Sequence, residues 1–282
     1  MKLLLPLVAA LAVLLVACGG GDDENEASPA APTSAAGEPA ATVAPTSTAG
    51  EPAETVVPAS ATAPAATAAA TVEDRAEVEA LLTAAALRLE DLPEGYTLDE
   101  EKFTTNEESA DETTGPGEAT LEDLNGFGRI LGYEASYSQE AGPSTLLEGG
   151  TLFLQTTTTV YEDSDGAEEH FGFVRDQASD PEFVDNFEKS FADSPGVEVS
   201  DASISEISVA DVGDQRLAFE VKVSAHSTDL DQDFDFVGQI VGVRRGRMIG
   251  SITVVGINSS TPTEQLEDLA RTIDERMKDA LE

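Results

Sequence analysis

The sequence predicts an α+β domain: a single antiparallel sheet of about six strands with helices packed on it, preceded by a disordered linker. Three observations predict this. Four segments with two-residue alternation come consecutively over residues 197–257, joined by short connections, an order that suits hairpins rather than crossovers. Segments with helical spacing lie before, between and after the strand-like ones. From residue 19 to 72 the composition is Ala, Pro, Thr, Ser, Gly and Glu with no apolar periodicity. Such a tract buries too little surface to offset its ordering entropy.

The elements follow in order. Residues 71–91 read as a helix, with Thr71 and Asp74 as a capping pair and Val78, Leu81, Leu82, Ala85 and Leu89 on one stripe. Leu92-Pro93-Glu94-Gly95-Tyr96 turns the chain. Residues 99–123 are dominated by acidic side chains and contain Gly115-Pro116-Gly117, which predicts a mobile loop or insertion. Residues 129–137 alternate Leu131, Tyr133, Ala135 and Tyr137 on one face, and residues 151–161 carry the Thr and aromatics of a strand with one wet face. Residues 166–178 read as a helix burying Ala167, Phe171, Val174 and Ala178, with Asp165 as its cap.

Asp180-Pro181 marks another helix start, whose apolar face is Phe183, Val184, Phe187 and Phe191 and whose end is Ser194-Pro195-Gly196. Residues 197–209 and 216–225 flank the turn Val212-Gly213-Asp214. In the second of these, Leu217, Phe219, Val221, Val223 and Ala225 alternate with polar neighbours. Residues 234–244 and 247–257 flank Arg245-Gly246 as a hairpin. Thr261-Pro262-Thr263-Glu264 reads as a capping box with Pro at the first helical position, opening a last helix that buries Leu266, Leu269, Ala270, Ile273, Met277 and Leu281.

The chain thus divides into a signal peptide (1–17), a disordered Ala/Pro/Thr-rich tether (18–72), which the resemblance given below implies is lipidated, and a globular α+β domain (73–282). The tether repeats itself once, Pro32 to Ala44 returning as Pro45 to Val57. As a flexible coil it would average about 40 Å end to end.

Cys18 is the single cysteine. Lys2, the apolar run over residues 3–16 and small Ala17 before Cys18 make a secretory signal. That run is shorter than the ~20 apolar residues a spanning helix needs, and Pro6 interrupts it. Leu15-Val16-Ala17-Cys18 resembles the lipobox of bacterial lipoproteins. The resemblance implies diacylglyceryl transfer to the Cys18 sulfur, cleavage before Cys18, and a mature chain held outside the cytoplasm on the cell membrane by two or three acyl chains. With its cysteine so used, the domain has no disulfide and no thiol or zinc–cysteine chemistry.

The formal net charge is −40, from 55 acidic and 15 basic residues. Phosphate binding needs a basic face, so nucleic acid is excluded as a natural partner. Asp229, Asp231, Asp233 and Asp235 alternate, so an extended chain aims all four carboxylates one way, and Ca2+ is the cation that would hold them together. Phe234 stands where an EF-hand needs Gly and Ile240 where it needs Glu, leaving a solvated hairpin tip as the other reading. Glu162, Asp163 and Asp165 form a weaker calcium candidate.

His170 and His226 are the only histidines, too few for the usual zinc sites; His226 adjoins the Asp run, and a His–Asp pair could titrate near neutral pH. Arg244, Arg245 and Arg247 cluster at the hairpin tip, suited to an anionic partner, to the acidic stretch 99–123, or simply to guarding a turn. No nucleophile elbow, Walker loop or dinucleotide fingerprint is present, and no catalytic residue is assigned.

The domain also resembles the small α+β ectodomains of surface lipoproteins, including Mog1/PsbP-like and kinase-sensor-like domains. The residues that carry this are Leu89-Glu90-Asp91-Leu92-Pro93-Glu94-Gly95-Tyr96, Val160-Tyr161-Glu162-Asp163, Val212-Gly213-Asp214, Val243-Arg244-Arg245-Gly246-Arg247-Met248 and the terminal helix. They are structural, and no residue role is carried over. The expected function is a non-enzymatic extracytoplasmic binding or sensor module with a protein, peptide or lipid ligand. A lipid or glycolipid carrier, needing an apolar cavity under the sheet, and a secreted hydrolase, needing carboxylates of raised pKa in a cleft, stand beside it.

Overall fold

A computed structural model describes residues 74–112, 119–139, 149–180, 196–228 and 231–282. Cys18, the tether and the expected helix at 181–191 lie outside them. The described elements are α1 (Arg75–Ala85), β1 (Tyr96–Thr104), α2 (Asn106–Glu112), α3 (Leu121–Gly126), β2 (Arg129–Gln139), β3 (Gly150–Tyr161), α4 (Ser164–Ala178), β4 (Val197–Glu206), β5 (Gln215–Ser227), β6 (Gln232–Arg245), β7 (Met248–Ile257) and α5 (Thr263–Leu281).

One antiparallel sheet forms, as expected, but with seven strands rather than six, in the order β1-β2-β3-β7-β6-β5-β4. Two meanders, β1 to β3 and β4 to β7, meet where β3 pairs with β7. The extra strand is β1, which occupies the start of the stretch expected to be a loop; α2 and part of α3 occupy more of it. β1 buries only its end residues Tyr96 and Thr104, so its exposed middle, Thr97 to Glu101, reads as loop. α3 is held by a capping box in which Thr120 and Asp123 exchange backbone hydrogen bonds.

The first sheet face is covered by α1 and α5. Val78, Leu82 and Ala85 of α1 and Leu266, Leu269, Ala270, Ile273 and Met277 of α5 are buried against Leu131, Ala135, Leu154, Val241, Val243, Met248, Ile252 and Val254. β7 brings Gly250 under α5 so closely that a Cβ there would stand 2.6 Å from Ile273 Cδ1. The second face carries α4 and, over β4 to β7, an apolar cluster of Phe219, Val221, Val223, Phe236, Ile240, Val255 and Ile257.

Three helix starts differ from expectation. α1 is shorter than 71–91: Asp74 caps it, accepting from Ala76 N–H at 2.9 Å, and it ends at Ala85, beyond which Leu89 is exposed and a separate 3-10 turn forms at Leu89–Asp91. α4 starts at Ser164 because Asp163, not Asp165, caps it, accepting from Asp165 and Gly166 N–H at 3.0 and 2.9 Å. α5 starts at Thr263 with Pro262 as its cap and no side-chain cap. Thr261 is drawn away to β6 instead, its N–H donating to Gln239 Oε1 at 2.7 Å and its carbonyl accepting from Gln239 Nε2 at 3.3 Å.

Candidate functional site

The residues that the sequence singled out fall in three places. The first is the far end of the sheet, where the β5–β6 hairpin turns. Strand alternation puts Asp233 and Asp235 of β6 on one face, opposite His226 and Ser224 of β5. Asp231 sits in the turn with φ of 50°, and Asp229 lies outside the described residues. Each β6 carboxylate has its own partner. Asp233 Oδ1 meets His226 Nδ1 at 2.8 Å, while Asp235 meets Lys222 Nζ and Ser224 Oγ at 2.6 Å each. Asp235 N–H also donates to Asn258 Oδ1 at 2.8 Å. A cavity of about 200 Å3 opens beside them, lined by Ser200, Ser224, Ala225, Asp233, Phe234, Asp235 and Asn258.

The charges here are balanced pairwise. The hydrogen bond to Asp233 raises the His226 pKa, against slight burial and with help from the charges of Asp233, Asp231 and Glu198. Burial pulls Asp235 upward, but the hydrogen bonds and charge of Lys222, with Ser224, outweigh it and leave it below the usual carboxylate range. Among the described residues no three His, Cys, Asp or Glu side chains converge in a way that could hold a metal ion. The Lys222 and His226 partners compete for the lone pairs that Ca2+ would need. Millimolar calcium is therefore expected to leave the thermal midpoint where a chelator leaves it. A calcium-dependent rise would put the ion among Asp229, Asp231, Asp233 and Asp235.

The second place is beneath the start of α4. His170 lies on the α4 flank that faces Phe127 and Tyr161. Its ring stacks on Phe127 at 4.9 Å and 8°, and Nδ1 makes a short hydrogen bond with the Tyr161 hydroxyl. Burial first, then the nearby Arg129 charge, lowers its pKa from 6.5 to about 4. Arg129 is itself buried, and donates to Asn106 Oδ1 at 2.7 Å and Thr104 Oγ1 at 2.9 Å. It crosses β2 where Gly132 leaves room: a Cβ there would stand 2.4 Å from Arg129 Nη2. Nothing in the sequence pattern announces the Arg129 network, whose members come from β1, α2 and β2.

The third is the hairpin between β6 and β7. Its arginines serve the fold. Arg244 reaches Glu168 at 3.4 Å and Gln215 at 2.9 Å. Arg245 makes a bidentate pair with Asp274 of α5 at 2.8 and 2.7 Å, and Arg247 donates to the Tyr161 carbonyl at 3.2 Å. None of these bonds is to the acidic stretch 99–123.

No family model matches the chain, and neither does any curated protein. The fold comparison finds the extracellular domain of PknH from Mycobacterium tuberculosis, at 10% identity and a TM-score of 0.39, over 71% of this chain and 96% of that one. Among the described residues no helix is long and apolar enough to cross a membrane.

Proposed function

We propose that the chain is a lipid-anchored, extracytoplasmic binding or sensor module without catalytic activity. The observation that carries this reading is the position of the one cysteine, directly after Leu15-Val16-Ala17 at the end of a short apolar run. The space between the first sheet face and its helices is filled by side chains with no exposure, Leu82, Leu154, Val241, Leu266, Ile273 and Met277 among them. That packing supports a binding module over a lipid carrier, which would need an open apolar cavity.

The test is the intact mass of the protein from its native membrane. The expected mass lacks residues 1–17 and carries diacylglycerol and a further acyl group on Cys18. Cys18→Ser should move the protein from the membrane to the soluble fraction. A mass that retains Met1, or an unmodified Cys18, would overturn the assignment.

A further inference from the structure

The centre of the second sheet face is polar where a sheet of this size is normally apolar. Strand register lines up Ser136 of β2, Gln155 of β3 and Thr253 of β7 in one row, with Glu134, Thr157 and Ser251 in the next. These strands are at the middle of the sheet, not its edge. Glu134, Gln155 and Thr253 are only 8%, 4% and 3% exposed. On the first face the same strands bury Ala135, Tyr137, Leu154, Ile252 and Val254, with Thr156 and Thr158 among them, and on the second face the neighbouring β5 and β6 bury Phe219 and Ile240. The polar rows of the second face therefore have an apolar border on one side.

Two acceptors in this region are unused. Gln155 Oε1 is buried without a hydrogen-bond partner, and so is Gln177 Oε1 of α4. α4 lies across β3, β7 and β6 on this face, with Phe171 against the backbone of Gly242. Gln177 shares the α4 flank of His170 and Phe173 by helical spacing, the flank turned toward the β2–β3 side. A buried polar atom without a partner costs about 1–3 kcal/mol. With Gln155 inside the rows of hydroxyls and Gln177 on the helix that covers this face, the fold leaves two acceptors for something else to satisfy.

We propose that this field is a binding site for a neutral, hydroxyl-rich small molecule of the saccharide or polyol class, with Gln155 at its centre. This rests on the binding-module reading and names its ligand chemistry. The open acceptors call for O–H donors. The four Ser and Thr hydroxyls both give and accept. The Glu134 charge is already answered by Lys102 at 3.8 Å, so the site carries no unanswered charge to select an ion. The apolar border of Ile240 and Phe219 matches the C–H face of a sugar ring.

The test is saturation-transfer NMR of the full chain with glucose, maltose and glycerol as probes, acetate and spermidine as charged controls. At least one neutral probe should receive saturation. Gln155→Leu should weaken its binding about tenfold through a lost hydrogen bond and an apolar wall. That variant should melt no lower than the parent, because an unpaired acceptor has gone. Should it fail to fold, Thr253→Val replaces it. Asp235→Asn, at the far end of the sheet, should bind as the parent does. Transfer to no neutral probe, transfer only to a charged control, or undiminished binding in the variants would overturn the proposal. None of these results bears on Cys18, so the anchoring and the ligand class fail separately.

Discussion

Asp274→Ala is expected to destabilise the domain by about 3 kcal/mol, because it strips the counter-charge from a partly buried guanidinium. Asp274 is on the face of α5 that packs on the sheet and is 9% exposed. Its carboxylate takes both Nε and Nη2 of Arg245, and Oδ2 also accepts from Gly213 N–H at 3.0 Å. One side chain thus joins α5, the β6–β7 hairpin and the 212–214 turn. Asp214 completes the clamp, accepting from Gly246 N–H at 2.7 Å and from Arg245 Nη1 at 3.3 Å. Truncating Asp274 leaves the Arg245 side chain, 30% exposed, and the Gly213 amide without that acceptor.

Asp274→Asn keeps an acceptor for Gly213 but not the charge, and should cost about half as much. The double change Asp274→Leu with Arg245→Met should recover most of the loss, since an apolar pair removes both desolvation penalties. Urea unfolding checks all three through the midpoint at constant slope. A loss below about 1 kcal/mol for Asp274→Ala would show that water, not the clamp, holds these groups.

The clamp also shows how far the sequence could be read. Val212-Gly213-Asp214 announces a turn and Arg245-Gly246 a hairpin, and both form, with Gly213 and Gly246 at φ of 67° and 54°. Both carry short-range signals: a Gly that reaches left-handed backbone and flanking alternation. That the two turns meet is set by the β5–β6 register, which puts Gln215 opposite Arg244, and Asp274 is brought between them by the packing of α5 on the sheet. Local periodicity holds no record of that pairing. The same limit hid β1, whose exposed acidic middle gives no alternation, and the polar rows of the second face. Thr and Gln in β3 read as a wet strand, and only cross-strand register shows that they collect beside Ser251 and Thr253. The Asp run meets a different limit. Its alternation was read correctly for Asp233 and Asp235, but partners from β5, Lys222, Ser224 and His226, are set by pairing and not by spacing.

The two histidines should drive the pH response of the domain in opposite directions. His170 is held neutral: its folded pKa is about 4, against 6.5 for an exposed ring. The titratable groups the structure brings to it are Tyr161 of β3, through its hydroxyl, and Arg129 of β2, through its charge, and neither favours an imidazolium. The unfolded chain therefore takes up a proton that the folded chain refuses between about pH 6.5 and 4. Stability contributed by His170 is complete above that window, falls as the pH falls through it, and changes no further below it. The loss is on the order of 3 kcal/mol at its lower end.

His226 has a raised pKa, so what it contributes is present below pH 6.5 and is lost as pH rises through its folded value. Comparing the parent with His170→Gln isolates the first effect. The variant should be somewhat less stable at pH 7, having lost the stack on Phe127, yet its stability should fall less between pH 6.5 and 4. His226→Asn should leave the fall between pH 6.5 and 4 as it is in the parent, because the ring is protonated in both states there, and should remove the stability that the parent loses as pH rises above 6.5. Urea midpoints from pH 4 to 8 decide the matter. Parallel profiles for the parent and His170→Gln would mean that the ring titrates as freely in the folded chain as in the unfolded one, and that α4 does not seal it from water.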